Sequence, residues 1–129
     1  MVERSCRRAW TITYWLLTAA FVGTAALNLL HVRGGFLTSY LADLTVPAWL
    51  YVIVRGLAGV RPSNPLTRFI GANAERAAIA LFVASTATEI SQIVWPHGFF
   101  AGRFDPLDII AYGVGIAVCY VGDKWCRNQ

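Results

Sequence analysis

Residues 9–30 read AWTITYWLLTAAFVGTAALNLL, an apolar stretch without a single charged side chain. A helix needs roughly 20 apolar residues to cross the hydrocarbon core of a bilayer, so this stretch predicts a transmembrane helix. It is long for the core of a signal peptide and lacks a convincing cleavage site, so we expect it to be retained. Further apolar stretches predict three more spans, at residues 36–54, 77–95 and 106–122.

The composition agrees with a membrane protein. Hydrophobic residues make up 57% of the 129 residues, and only 14% of the residues are charged. A soluble domain of this size could not cover so much apolar surface. We therefore predict one all-α domain, residues 1–129, built as a polytopic bundle of four transmembrane helices.

The basic residues predict the orientation of the chain. Nine of the eleven lie in segments that four spans place on one side: Arg4, Arg7, Arg8, Arg55, Arg61, Arg68, Arg76, Lys124 and Arg127. Only Arg33 and Arg103 lie on the other side. Because cytoplasmic loops carry the excess of Lys and Arg, both termini are expected in the cytoplasm. The net charge of +4 then requires no nucleic acid, since these residues contact anionic headgroups. Membrane lipids are the expected partners, and a homo-oligomer is compatible with this topology.

Polar residues gather at the end of the third span, in the following loop and at the start of the fourth span. They are Glu89, Gln92, Arg103, Asp105 and Asp108. Ionisable groups in or beside membrane spans are costly and usually functional. Glu89 could reach up to water, pair with Arg103 or stay protonated in a pocket. The alternative is a polar contact that only holds the helices together. Asp43, near Pro47 of the second span, is expected close to this cluster.

The start of the fourth span has a structural explanation as well. Asp105 followed by Pro106 and then Asp108 is typical of a helix N-terminus, and capping alone could account for Asp105. Asp108 is different, because with Tyr112 and Gly115 it forms a stripe at helical spacing that we expect to face inward. A glycine in that stripe allows another helix to approach closely.

No metal or other cofactor is predicted. His31 and His97 flank spans at similar depth and could bind haem, but neither sits well within a helix. The spacing of Cys6, Cys119 and Cys126 matches no metal motif. Cys6 and Cys126 would face the cytoplasm, where thiols stay reduced, so all three cysteines are expected to be unpaired and inert.

The third and fourth spans resemble the VanZ-like family, small integral membrane proteins of bacteria whose founding members are linked to teicoplanin resistance. The resemblance rests on Glu89-x-x-Gln92, Gly102-Arg103, Phe104-Asp105-x-x-Asp108 and Gly115. Tyr112 stands where the family usually carries an asparagine. The pattern Ala-Tyr-x-x-Gly that ends at Gly115 also resembles a neighbouring family of uncharacterised multi-span bacterial proteins. The resemblance implies a multi-pass protein of the bacterial cytoplasmic (inner) membrane, with a role in the cell envelope or in glycopeptide resistance.

Three classes of function are compatible with these residues. The favoured one is a non-enzymatic protein that binds a lipid or amphiphile at the outer leaflet. Arg103 would contact an anionic headgroup, while Glu89, Gln92 and Asp108 hydrogen-bond the remainder. The second is an enzyme acting on a lipid-linked substrate through Glu89 or Asp108, although no nucleophile-and-base pattern supports it. The third is a small proton-coupled transporter that uses Glu89, for which four spans are few without dimerisation.

Overall fold

The computed structural model describes residues 2–30, 36–59, 62–98 and 103–129, and all regular structure in these residues is α-helical. The helices are α1 (Val2–Leu29), α2 (Phe36–Arg55), α3 (Pro65–Ile70), α4 (Ala74–Val94) and α5 (Pro106–Arg127). The prediction of an all-α fold is therefore confirmed for the described part of the chain. The short α3 lies in the connection between the second and third predicted spans.

Helices α1, α4 and α5 are each long and apolar enough to cross a membrane. Their large apolar side chains point outward: Leu16 is 66% exposed, Val83 59% and Val118 68%. The carboxyl groups of Glu89 and Asp123 are instead buried between helices. Water would penalise this arrangement, whereas hydrocarbon favours apolar groups outside and polar groups inside the protein. These helices indicate a multi-pass membrane protein.

Two helices extend beyond the predicted membrane spans. Helix α1 begins at Val2 rather than at residue 9, and α5 continues to Arg127 rather than stopping at Gly122. A side chain caps the N-terminus of α4. The Asn73 side chain accepts a hydrogen bond from the Arg76 N–H at 2.7 Å, and this fixes the start of α4.

Helix α2 occupies the middle of the fold and packs against α1, α4 and α5. Its residues Tyr51 and Val52 are fully buried in the apolar core. Gly115 lets α5 approach α2 closely, because a Cβ atom there would collide with the carbonyl oxygen of Leu44. The predicted role of Gly115 in close helix packing is thus confirmed.

The expectation that all three cysteines are unpaired is wrong. Cys6 and Cys126 form a disulfide with their Cα atoms 5.9 Å apart, and Cys119 is free and buried. The two bonded residues are separated by 120 positions in sequence. They meet because the first turns of α1 lie beside the last turn of α5, a proximity that no local spacing reveals. We call this end of the molecule the disulfide end, and the opposite one the cleft end.

Candidate functional site

The predicted polar cluster assembles at the cleft end, where α2 and α5 begin and α4 ends. Five of the predicted site residues meet there through hydrogen bonds or facing carboxyl groups: Asp43, Glu89, Asp105, Asp108 and Tyr112. Asp43 comes from α2, Glu89 from α4 and Tyr112 from α5. Three helices therefore contribute to one site, and Asp43 belongs to it.

Glu89 lies at the centre of this site and is only 3% exposed. The Tyr112 hydroxyl donates a hydrogen bond to its Oε1 atom at 2.8 Å, and the Asp105 backbone N–H donates to its Oε2 atom at 3.4 Å. The same Tyr112 hydroxyl lies 3.4 Å from Oδ1 of Asp43. A phenol has one proton to donate, so it bonds either Glu89 or Asp43 at a given moment.

A pair of carboxyl groups borders this centre. The side chains of Asp43 and Asp108 lie within hydrogen-bonding reach of one another. Two carboxylates this close repel each other unless a proton or a cation lies between them. Pro47, buried in α2, has no N–H to offer the Asp43 carbonyl one turn earlier, so that oxygen lacks its usual helical donor.

Asp105 combines a structural and an electrostatic role. Its Oδ1 atom caps α5 by accepting a hydrogen bond from the Leu107 N–H at 2.9 Å, as predicted. Its Oδ2 atom accepts a bond of 2.6 Å from the Tyr40 hydroxyl. The Tyr40 hydroxyl, together with the Leu107 N–H and the nearby Arg103, holds the pKa of Asp105 below its usual value.

A cleft of about 480 Å³ opens beside these groups. It is lined by Tyr40, Asp43, Arg103, Phe104, Asp105 and Asp108. Arg103 is exposed, and it makes no hydrogen bond or ion pair with another described residue. The alternative in which Glu89 pairs with Arg103 is therefore not the arrangement in the structure. The cleft thus combines the Arg103 guanidinium group, which pairs with no described residue, with the carboxyl groups of Asp43, Asp105 and Asp108.

Other sequence-predicted residues stand apart from this cleft. Gln92 is half-buried on α4, and its side chain forms no hydrogen bond with the described residues and does not line the cleft. His97 is exposed in the turn after α4, and His31 lies outside the described residues. Within the described ranges, no three His, Cys, Asp or Glu side chains are placed to hold a metal ion.

A second polar network, at the disulfide end, was not predicted. Asp123 of α5 is 1% exposed and accepts a bond of 2.6 Å from Nε of Arg55. The Tyr51 hydroxyl donates to the same carboxylate at 2.9 Å, and Nη1 of Arg55 donates to the Gly71 carbonyl at 2.6 Å. A signal was present, since Asp123 continues the inward stripe of Tyr112, Gly115 and Cys119 at helical spacing.

No family model, curated protein or solved structure matches this chain. A guanidinium group without a partner binds phosphate or carboxylate through paired hydrogen bonds. The facing carboxyl groups accept hydrogen bonds from hydroxyl or ammonium groups. The cleft can thus hold a small polar group that carries an anion together with hydrogen-bond donors.

Proposed function

We propose that this protein binds the headgroup of a lipid or other amphiphile in the cleft formed by α2, α5 and the segment before α5. The observation that carries the proposal is Arg103, an exposed guanidinium group with no partner among the described residues, at the mouth of a cleft of about 480 Å³. The resemblance of the polar signature to VanZ-like proteins supports a role in the bacterial cell envelope. Resistance to glycopeptides is the specific form of that role which the resemblance favours.

The proposal includes a topology. Helix α2 has 20 residues, enough to cross the hydrocarbon core beside the other three long helices. Four spans place the basic segments of the chain on one side, and the excess of Lys and Arg favours the cytoplasm for that side. Both termini then lie in the cytoplasm of a bacterial inner membrane protein, and the cleft lies at the outer leaflet.

A headgroup suits the cleft for a physical reason. The cleft lies at the end of apolar helices, so its ligand must satisfy polar residues while its remainder contacts hydrocarbon. An amphiphile does both. Arg103 is the group for a phosphate or other anion, and the carboxyl groups of Asp43 and Asp108 accept hydrogen bonds from the rest of the headgroup.

Native mass spectrometry in a mild detergent tests this proposal. We expect a lipid-mass adduct on the wild-type protein that is lost in Arg103→Ala. Arg68→Ala is the matched control, since Arg68 is an exposed arginine on α3 far along the chain from the cleft residues. The adduct should survive in this control and largely survive in Glu89→Gln. A bare protein in every sample, or an adduct with the mass of a metal or haem, would contradict lipid binding.

Proton-coupled transport is the second candidate, and one observation favours it. The buried Glu89 carboxyl is joined through the Tyr112 hydroxyl to Asp43, which lines the open cleft, so protonatable groups lead from the cleft into the protein. Intramembrane carboxyl groups of this kind serve as proton relays. In liposomes containing a pH-sensitive dye, proton flux would be abolished first by Glu89→Gln and would survive Arg103→Ala. If the protein binds lipid instead, Arg103→Ala should abolish binding and Glu89→Gln should largely preserve it.

A further inference from the structure

The disulfide end contains a large cavity that the proposed function does not use. Its volume is about 950 Å³, and it lies between the start of α1 and the ends of α2 and α5. The bonded residues Cys6 and Cys126 line it, together with three arginines: Arg7, Arg55 and Arg127. The disulfide is thus part of the wall of a polar, accessible cavity.

The position of this disulfide conflicts with a purely structural role. In the proposed topology, on which this inference rests, the disulfide end lies in the cytoplasm, where disulfides that do form are usually transient, redox-sensing or catalytic. Yet two of the three cysteines in the chain are brought together from opposite ends of the sequence. A pair that meets on a reducing side is suited to reversible oxidation.

The surroundings of the two sulfur atoms favour exchange chemistry. Each bonded cysteine is followed directly by an arginine, Arg7 or Arg127, and both arginines line the cavity. Glu3 and Asp123 also line the cavity, and Asp123 is paired with Arg55, but Arg7 and Arg127 form no ion pair with the described residues. Cationic groups near a sulfur atom stabilise a thiolate, which is the species that attacks a disulfide. Cys119 has neither feature, since it is buried in the apolar core of the helices.

We propose that Cys6 and Cys126 are a redox-modification site that small-molecule disulfides oxidise reversibly. The thiolate of one cysteine attacks a sulfur of the small disulfide, forms a mixed disulfide and displaces one small thiolate. The second cysteine thiolate attacks the protein sulfur of that mixed disulfide and displaces the other small thiolate. The protein dithiol thereby loses two electrons, the small disulfide gains them, and the two protons of the dithiol end on the two released thiols. An excess of small thiol reverses both steps.

Oxidation changes how the first helix is held. Helix α1 packs chiefly on α2 and contacts α5 much less, so the disulfide is a main link between the first and last helices. A Cβ atom at Gly59 would lie 3.1 Å from Nη2 of Arg7, so the start of α1 also lies close to the chain after α2. Reduction releases the first turns of α1 from α5 and opens the cavity wall.

Counting free thiols in the full-length protein tests the proposal. Permeabilised cells are treated with oxidised glutathione, quenched with acid, denatured in SDS and alkylated with a polymer-linked maleimide. Untreated protein should carry three modifications, oxidised protein one, and protein then reduced with dithiothreitol three again. Cys119→Ser is the matched control and should change from two modifications to none. Cys6→Ser should keep two throughout, apart from any mixed disulfide that dithiothreitol removes.

Three results would overturn the proposal. Three modifications before and after the oxidant would show that the two thiols do not pair. A single modification in untreated intact cells, raised to three by a membrane-impermeant reductant added outside, would make the bond structural and would place the disulfide end outside the cytoplasm. A dimer on a non-reducing gel would show cross-linking between copies. If Cys6→Ser fails to accumulate, the numbers of modified thiols in the wild-type protein and in Cys119→Ser still show whether Cys6 and Cys126 pair reversibly.

Discussion

At the scale of single residues, the candidate site is organised by tyrosine hydroxyls that bind carboxylates. Tyr112 donates to Glu89 and lies near Asp43, and Tyr40 donates to Asp105. A buried carboxylate without donors is costly, so these phenols allow acidic groups to lie between apolar helices. The protein itself supplies donors for these acidic groups, and Arg103 makes no hydrogen bond or ion pair with the described residues.

The bond between Tyr40 and Asp105 predicts a specific dependence on pH. The folded pKa of Asp105 is depressed, so the stability linked to its ionisation is present above the unfolded pKa of about 3.9 and is lost as pH falls through the folded pKa. Tyr40→Phe removes the principal cause of the depression. We expect its melting temperature to lie below the wild-type value at pH 7 and the difference to shrink toward pH 3.

The control for this prediction is Tyr14→Phe. Tyr14 packs against the rings of Trp15 and Trp49 on the α1–α2 side, and no carboxylate is bonded to its hydroxyl among the described residues. The difference in melting temperature between Tyr14→Phe and the wild-type protein should be independent of pH between 3 and 7. Thermal unfolding in detergent, followed by tryptophan fluorescence, measures both variants. If Tyr40→Phe lowers the melting temperature equally at pH 3 and pH 7, the proposed link between stability and the ionisation of Asp105 is wrong.

Individual residues also show what the sequence could predict. Asp105 and Gly115 were predicted because capping and close helix approach are local or periodic signals, and the structure confirms both roles. Asp123 was missed because a charge beside Lys124 at the end of an apolar stretch resembles a membrane boundary. Only the partner on another helix, Arg55, explains why that carboxylate is buried.

At the scale of helices, packing between α2 and α5 sets the geometry of the site. Gly115→Ala introduces a Cβ atom that collides with the Leu44 carbonyl oxygen, so α5 must move away from α2. Overpacking of this kind costs about 1–3 kcal/mol of unfolding free energy. Unfolding by SDS in mixed micelles measures the loss, and headgroup binding should weaken with it because both helices line the cleft.

Gly113→Ala is the matched control for that change. A Cβ atom at Gly113 would meet only the Phe82 ring, at 3.4 Å, an ordinary contact with a side chain that can shift. Since alanine is favoured over glycine in a helix interior by about 0.5–1 kcal/mol, this variant should be neutral or slightly more stable. Equal losses in both variants would show that helix propensity, and not the approach of α2, governs this part of α5.

The helices themselves followed from apolar length, while their relations to one another did not. Residues 36–54 and 77–95 were predicted close to the observed α2 and α4, because long, mainly apolar runs have few alternatives to a helix in a bilayer. The pairing of Cys6 with Cys126 depends on which helix lies beside which, and single-chain periodicity contains no such information. The sequence predicted a cluster of polar residues but not the shape of the cleft. One of its walls is α2, which is distant in sequence from α5 and from the segment before α5 that form the others.

At the scale of the whole molecule, the buried ion pair at the disulfide end joins α5 to α2. In the Arg55–Asp123 pair the side chains are 9% and 1% exposed. Asp123→Asn leaves the Arg55 guanidinium without its counter-charge, and breaking a buried pair in this way costs about 3–5 kcal/mol. The exposed pair of Lys124 and Glu75 is the control, because Glu75→Gln should cost no more than about 1 kcal/mol. Unfolding by SDS measures the loss of unfolding free energy in both variants. Similar small losses would mean that the buried pair contributes little to the stability of the fold.

The two polar ends of the molecule acquire their meaning from its orientation in the membrane, which site-directed labelling can measure. Ser63 and Pro96 are exposed residues in the connections that precede α3 and follow α4. In a protein without its native cysteines, we expect Pro96→Cys to react with an impermeant maleimide in intact cells and Ser63→Cys to react only after permeabilisation, because the proposed topology keeps the basic connection in the cytoplasm. The opposite pattern would place the Arg103 cleft inside and the disulfide end outside. The disulfide would then be a permanent structural bond, and the headgroup would have to come from the inner leaflet.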